Sequence, residues 1–241
     1  LFAAVNDGKA DLAMVPVENT TYGRVADIHR MLPESGLHIL DEAFVRVRIA
    51  MMANRGVTLG DIDTVRAHMV LIPQCRNFLL ENEIKGEAAS DSAGAAAELA
   101  DTPETNVGVL ASEIAAKIYN LDVVARDIED THNNTTRFLI MGPKADLTRR
   151  GDGPMMTSFI FEVRNIPAAL YKAMGGFATN GVNITKLESY MVGGSFTATQ
   201  FYADIVGHPD DKNVALAMEE LGLFTNKLSI LGVYPCIPRE G

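Results

Sequence analysis

An α/β region over residues 1–142, followed by a ferredoxin-like α+β module over 155–241, is the fold class that this chain predicts. Helical and strand-like patterns alternate at short intervals from Leu1 to Met141, as in a domain built around a largely buried sheet. Residues 143–154 then break every periodicity with Gly, Pro, Thr and paired Arg, so they read as a linker. What remains has the order β-α-β-β-α-β.

In the first region, residues 12–17 read as a strand and residues 24–32 as a helix. That helix has Val25, Ile28, Met31 and Leu32 on one face, and it is stopped by Pro33 and Gly36. Val45, Val47 and Ile49 alternate with Arg46 and Arg48, the pattern of a half-buried strand. Pro73 suits the first turn of a helix through Phe78 and Leu79, where its missing N–H would have had no intrahelical partner. Asp91 caps the next helix, and Ser112 caps another with Ile114, Ala115 and Ile118 on its apolar face. Residues 136–141 close the region as a strand.

In the second, strands are expected over 157–163, 183–191, 196–206 and 227–234, with helices over 167–180 and 210–221. Gly181 can end the first helix in a left-handed conformation, and Gly193-Gly194 can turn the central hairpin.

The chain has 241 residues, more than one domain usually holds, and a formal net charge of −10. That charge opposes non-specific attachment to nucleic acid, whose phosphates need clustered Lys and Arg. Cys75 and Cys236 are too few for a disulfide framework and lack zinc-site spacing, which fits a reducing cytoplasm. No apolar run approaches the roughly 18 residues that span a bilayer, so no membrane is expected as a partner. Asp7, Lys9 and Asp11 rule out a signal peptide at the start, and Leu1 in place of Met places the natural beginning upstream.

Glu18 and Asn19 follow the first strand, where ligands of open α/β sheets collect, although Asn19 and Thr20 equally suit a turn. Residues 90–96 start a helix with small side chains, either to receive a carboxylate near Ser92 or to pack closely. Arg137 can form a bidentate pair with a carboxylate ligand or a structural ion pair. Strand alternation sends Thr136 and Arg137 to opposite faces unless the strand is just beginning there. The five histidines are scattered, and no phosphate loop or nucleophile elbow occurs, so metal and nucleotide cofactors are not expected.

Four stretches taken in order, 15–20 (Val-Pro-Val-Glu-Asn-Thr), Gln74-Cys75, 91–96 (Asp-Ser-Ala-Gly-Ala-Ala) and 135–138 (Thr-Thr-Arg-Phe), resemble prephenate dehydratase. Asn165, Ile166, Pro167, Ala168, Ala169 and Leu170 resemble that family's first effector motif, and Lys186-Leu187-Glu188-Ser189 its second. The resemblance implies a catalytic region of two α/β lobes similar to periplasmic binding proteins, then an ACT regulatory domain. It also implies a strand and helix with a glycine-rich turn before Leu1.

The implied reaction turns prephenate into phenylpyruvate, carbon dioxide and water without a cofactor. In it Thr136 is the hydroxyl donor near the departing group. Glu18, Asn19, Thr20, Gln74, Ser92 and Arg137 contact substrate, with Glu18 protonated, paired or turned away from a dianion. L-Phenylalanine binds the module as effector in a homodimer or homotetramer. Three departures stand out. Ala67 lies where a Ser is common, Val70 where Gln or His is usual, and Tyr190-Met191 where many relatives have Arg-Pro. Arogenate dehydratase and a non-catalytic amino-acid sensor are the competing readings.

Overall fold

The structure is a computed structural model that describes residues 1–164, 166–191 and 198–237. In chain order its elements are α1 (Phe2–Asn6), β1 (Ala13–Asn19), β2 (Gly23–Arg24), α2 (Ala26–Met31), β3 (His38–Arg46), β4 (Ala50–Ala53) and β5 (Thr64–His68). Next come α3 (Arg76–Glu81), β6 (Lys85–Ala89), α4 (Ser92–Ala100), β7 (Val107–Ala111), α5 (Glu113–Tyr119), β8 (Asp122–Ala125) and β9 (Thr135–Gly142). The last are β10 (Met155–Val163), α6 (Ala169–Thr179), β11 (Ile184–Met191), β12 (Ala198–Val206), α7 (Lys212–Phe224) and β13 (Thr225–Pro235). Asn165, the Gly193-Gly194 turn and the strand start at Phe196 lie outside the described residues.

The chain divides into two compact units, one of Leu1–Asn19, Gly23–Phe44 and Arg137–Gly241, the other of Thr20–Tyr22 and Val45–Thr136. The second unit has a five-stranded sheet of order β6-β5-β7-β4-β8. In it β5 runs parallel to β6 and β7, and β4 antiparallel to β7 and β8. Met51 and Leu110 face one core while Met52 and Val109 face another, so the central strands are apolar on both sides, as a covered sheet demands.

In the first unit an eight-stranded sheet runs β11-β12-β10-β13-β3-β9-β1-β2. Its C-terminal part has the expected β-α-β-β-α-β order, with β10 between β12 and β13. Helices α6 and α7 cover one face through Phe159, Phe161, Ala173, Phe177, Ala217 and Leu221. Met156, Ile160, Tyr202 and Tyr234 join Val15, Val17, Leu139 and Met141 in the other core. The sheet continues from β13 into β3 by a parallel pairing at Gly232 and Ile39. A Cβ at Gly232 would lie 2.1 Å from the Ile39 carbonyl oxygen, so only glycine permits that approach.

Four local expectations are corrected. The helix expected over 24–32 is shorter, because residues 32–34 tighten into a 3₁₀ turn that buries Leu32 and leaves Met31 exposed. The strand expected around 45–49 breaks between Arg46 and Ala50. There the Val47 N–H bonds the Asn134 carbonyl and the Ile49 N–H bonds the Glu129 carboxylate, outside any strand ladder. Helix α5 buries Ala115 and Ala116 against Ala95 and Ala96 and turns Ile114 and Ile118 to solvent, because small side chains allow close helix packing there. Ser112 precedes it without a side-chain cap bond. Asp91 does cap α4, accepting from the Gly94 N–H at 2.6 Å, and Gly181 ends α6 at φ +65°.

Candidate active site

In the second unit the polar motifs gather where β5 ends and β9 begins. The Gln74 side chain is buried, with Nε2 donating to the Val70 carbonyl at 2.9 Å and Oε1 accepting from Asn134 Nδ2 at 2.5 Å. Thr20 Oγ1 donates to the Asn133 carbonyl at 2.6 Å and accepts the Thr135 N–H at 2.9 Å. Its hydroxyl proton is thereby committed to anchoring the stretch that leads into Thr136. Ser92 Oγ accepts the His68 N–H at 3.0 Å, joining the start of α4 to the end of β5. Because the Asp91 carboxylate occupies the Gly94 N–H, this helix start already holds a negative charge. The small residues beside it pack, with Ala95 and Ala96 buried. Cys75 is buried, and that burial, with Asp130 and Glu129 nearby, pushes its thiol up to about 12 and out of thiolate chemistry.

In the first unit β1 ends with Glu18 and Asn19, both partly exposed. Burial raises the Glu18 pKa, but hydrogen bonds and charge from Lys186 and Arg137 outweigh it and hold the carboxyl at about 2. Glu18 is thus paired, one of the three conditions expected beside a dianion.

Arg137 requires a correction. It is 1% exposed, and its guanidinium donates to Glu42 at 2.7 Å, Glu18 at 2.9 Å, Asp204 at 2.7 Å and the Tyr234 hydroxyl at 3.0 Å. With four of its five N–H donors committed, it is a structural ion-pair centre rather than an open carboxylate clamp. Ser158 extends the network, donating to Asp204 at 2.6 Å and meeting Tyr234 at 2.7 Å. Along β9 burial alternates, Arg137 and Leu139 inside and Thr136 and Phe138 partly exposed, so Thr136 and Arg137 leave opposite faces.

Sequence reasoning missed Glu42, Ser158, Asp204 and Tyr234. The available signal was a polar residue inside an otherwise apolar strand, Ser158 in β10 and Asp204 in β12.

The two stretches that resemble effector motifs differ in exposure. Ile166 and Pro167 are exposed, Ala168 takes a left-handed φ of +62°, Ala169 is buried and Leu170 is partly buried. On β11, Glu188 pairs with Arg24 at 3.0 Å and Lys186 at 3.4 Å, while Ser189 is exposed. Tyr190 meets the buried His29, whose Nδ1 is 2.9 Å from the phenol oxygen and whose Nε2 is 3.0 Å from the Val17 carbonyl. Burial, with the Lys186 charge, lowers the His29 pKa. A neutral ring then donates through Nε2 and accepts through Nδ1. Among the described residues no group of three or more His, Cys, Asp or Glu is placed to hold a metal ion, and no helix is long and apolar enough to cross a membrane.

An α/β chain with polar side chains collected at strand and helix ends belongs to the broad class of small-molecule enzymes built on covered sheets. Residues 1–146 match the prephenate dehydratase family, and the chain belongs to that family of hydro-lyases. It is 45% identical over 237 residues to the bifunctional N-acyl-homoserine lactone acylase/prephenate dehydratase of Komagataeibacter europaeus, covering 98% of this chain and 84% of that protein. It is 33% identical over 243 residues to arogenate dehydratase/prephenate dehydratase 2, chloroplastic, of Arabidopsis thaliana, covering 97% of this chain and 64% of that longer one. The solved prephenate dehydratase of Arthrobacter aurescens in complex with L-Phe superposes with a TM-score of 0.83 at 31% identity, over 96% of this chain and 77% of that one.

Proposed function

We propose that this protein carries out the decarboxylating dehydration of prephenate to phenylpyruvate, with feedback control by L-phenylalanine. The observation that carries the reading is the family match over residues 1–146, which contains all four ordered motifs. In this reading residues 1–142 form the catalytic region, 143–154 link, and 155–241 form the ACT domain of a cytoplasmic homodimer or homotetramer. One molecule of prephenate loses its ring carboxylate as carbon dioxide and, taking up one proton from solvent, its hydroxyl as water, and aromatisation supplies the driving force.

The protein's task is to orient the ring and to help the hydroxyl leave. Thr136 hydrogen-bonds the departing oxygen, because an aliphatic hydroxyl is too weak an acid to surrender its proton fully. Such a donor contributes about 10²- to 10⁴-fold in rate. Asn19 and Gln74 orient the substrate with neutral amides. The paired state of Glu18 removes most of the repulsion that a bare carboxylate would exert on a dianion.

Phenylalanine control is supported by the L-Phe complex of the Arthrobacter aurescens protein. Within the first unit, Lys186 of the stretch resembling the second effector motif bridges Glu188 and Glu18. An effector acts only through different affinity for two states, so this bridge is a candidate for the element that differs between them. The test is phenylpyruvate formation by the full chain from prephenate and from arogenate, with and without phenylalanine. Activity on arogenate alone would transfer the assignment to arogenate dehydratase, and inactivity on both would favour a non-catalytic sensor.

A second reading comes from the 45% identity to the Komagataeibacter europaeus protein, whose name joins acylase and dehydratase. In this reading the chain also hydrolyses N-acyl-homoserine lactones. Release of the fatty acid from such a lactone, measured beside the dehydratase assay, tests it.

A further inference from the structure

Tyr22 belongs to none of the motifs above, yet its side chain ends among them. Its hydroxyl donates to the Val70 carbonyl at 3.1 Å, the oxygen that also receives Gln74 Nε2 at 2.9 Å. The Tyr22 hydroxyl and the Gln74 amide therefore meet at one acceptor. Asn134 takes the Gln74 carbonyl from the opposite side. An amide side chain offers two N–H donors and one carbonyl. Here the Val70 carbonyl receives one N–H of Gln74 together with the Tyr22 hydroxyl, and Asn134 donates to the Gln74 carbonyl. Gln74 is held at both ends and 9% exposed, with one carbonyl lone pair left for a ligand, whereas Tyr22 is 49% exposed. Ala67 and Val70 carry no polar side-chain atom, so the side-chain donors at the Val70 carbonyl are the Gln74 amide and, more exposed, the Tyr22 phenol.

We propose that Tyr22 is a positioning residue for the dehydration: its hydroxyl locks the Gln74 amide in one orientation, and its ring forms the substrate-side wall of that amide. The structural tie stands on the hydrogen bonds alone. Its kinetic consequence rests on the dehydratase reading.

The test uses the full chain with Tyr22→Phe, Gln74→Leu and the double variant. Tyr22→Phe keeps the ring and removes only the hydroxyl, and an exposed phenol leaves the thermal midpoint unchanged. Losing one such hydrogen bond lowers kcat/KM by about 3- to 10-fold, chiefly through kcat, because the misplaced amide no longer fits the transition state. In the Gln74→Leu background the same change has less than about a 2-fold effect, since residues acting as one unit are not additive. In parallel, the Gln74 side-chain amide is followed by NMR and assigned by its loss in Gln74→Leu. It shifts and exchanges faster in Tyr22→Phe.

An unmoved amide, or an equal kinetic loss in both backgrounds, overturns the proposal while leaving the dehydratase reading intact. A parent chain inactive on prephenate and arogenate sinks the dehydratase reading instead, and the amide spectrum then decides the Tyr22–Gln74 tie alone.

Discussion

Glu18 and Lys186, 168 residues apart in the chain, form an ion pair of 2.5 Å, and the same ammonium lies 3.4 Å from Glu188. One lysine thereby connects the strand that ends in Asn19 to β11, the strand proposed to carry an effector motif. If phenylalanine control passes through this connection, Lys186→Met narrows the ratio of activities measured without and with saturating phenylalanine, by about 5-fold or more for a coupling of 1 kcal/mol. Isothermal titration of phenylalanine separates lost binding from lost coupling. Retained binding with an unchanged ratio would exclude Lys186 from the route.

Acid should weaken the fold through Glu18. Its carboxyl sits at about 2 in the folded chain, below the ordinary value of 4.5. A depressed carboxylate stabilises the fold fully above its unfolded pKa, and that contribution fades as pH falls from 4.5 toward 2. Glu18→Gln is therefore less stable than the parent near neutrality, and the gap closes with acidification. Urea midpoints at pH 7, 5 and 3 measure it. A gap that widened at low pH would assign the wrong sign.

Arg137→Met should be the most damaging single change in the first unit. It takes the shared cation from Glu42 and Asp204, whose side chains are fully buried, and removing one partner of a buried ion pair costs about 3–5 kcal/mol. Denaturant unfolding reports the loss, and a cost below about 1 kcal/mol would show that water or another cation reaches these carboxylates.

The cap of α4 offers a smaller, cleaner test. Asp91→Ala removes the acceptor for the Gly94 N–H and costs about 1 kcal/mol. A Cβ at Gly94 would lie 2.8 Å from the Asp91 carboxylate, so Gly94→Ala displaces the same cap although alanine favours helix. Both variants lowering the thermal midpoint identifies the cap; a stabilised Gly94→Ala would show that the carboxylate simply swings aside.

What was legible in the sequence is what neighbouring residues decide. Asp91 announces its helix through spacing to Gly94, Pro73 starts a turn, and the β-α-β-β-α-β order emerges from short periodic runs. Long-range partners were not legible. The break after Arg46 depends on Glu129, 80 residues beyond Ile49, and the role of Arg137 depends on Glu42 and Asp204, 95 and 67 residues away. The apolar face of α5 was misread because a helix packed against alanines buries its small residues and exposes Ile114 and Ile118. Thr20 and Gln74 were recognised by type, but their partners Asn133, Asn134 and Val70 appeared only once the chain was folded.

The most direct measurement is phenylpyruvate released from prephenate by the full chain, read by its enol absorbance in alkali, for the parent and for Thr136→Ala with circular dichroism confirming the fold. The account predicts turnover by the parent and a loss of about 10²-fold or more in the folded variant. A parent that releases no phenylpyruvate, or a Thr136→Ala chain as active as the parent, would contradict it.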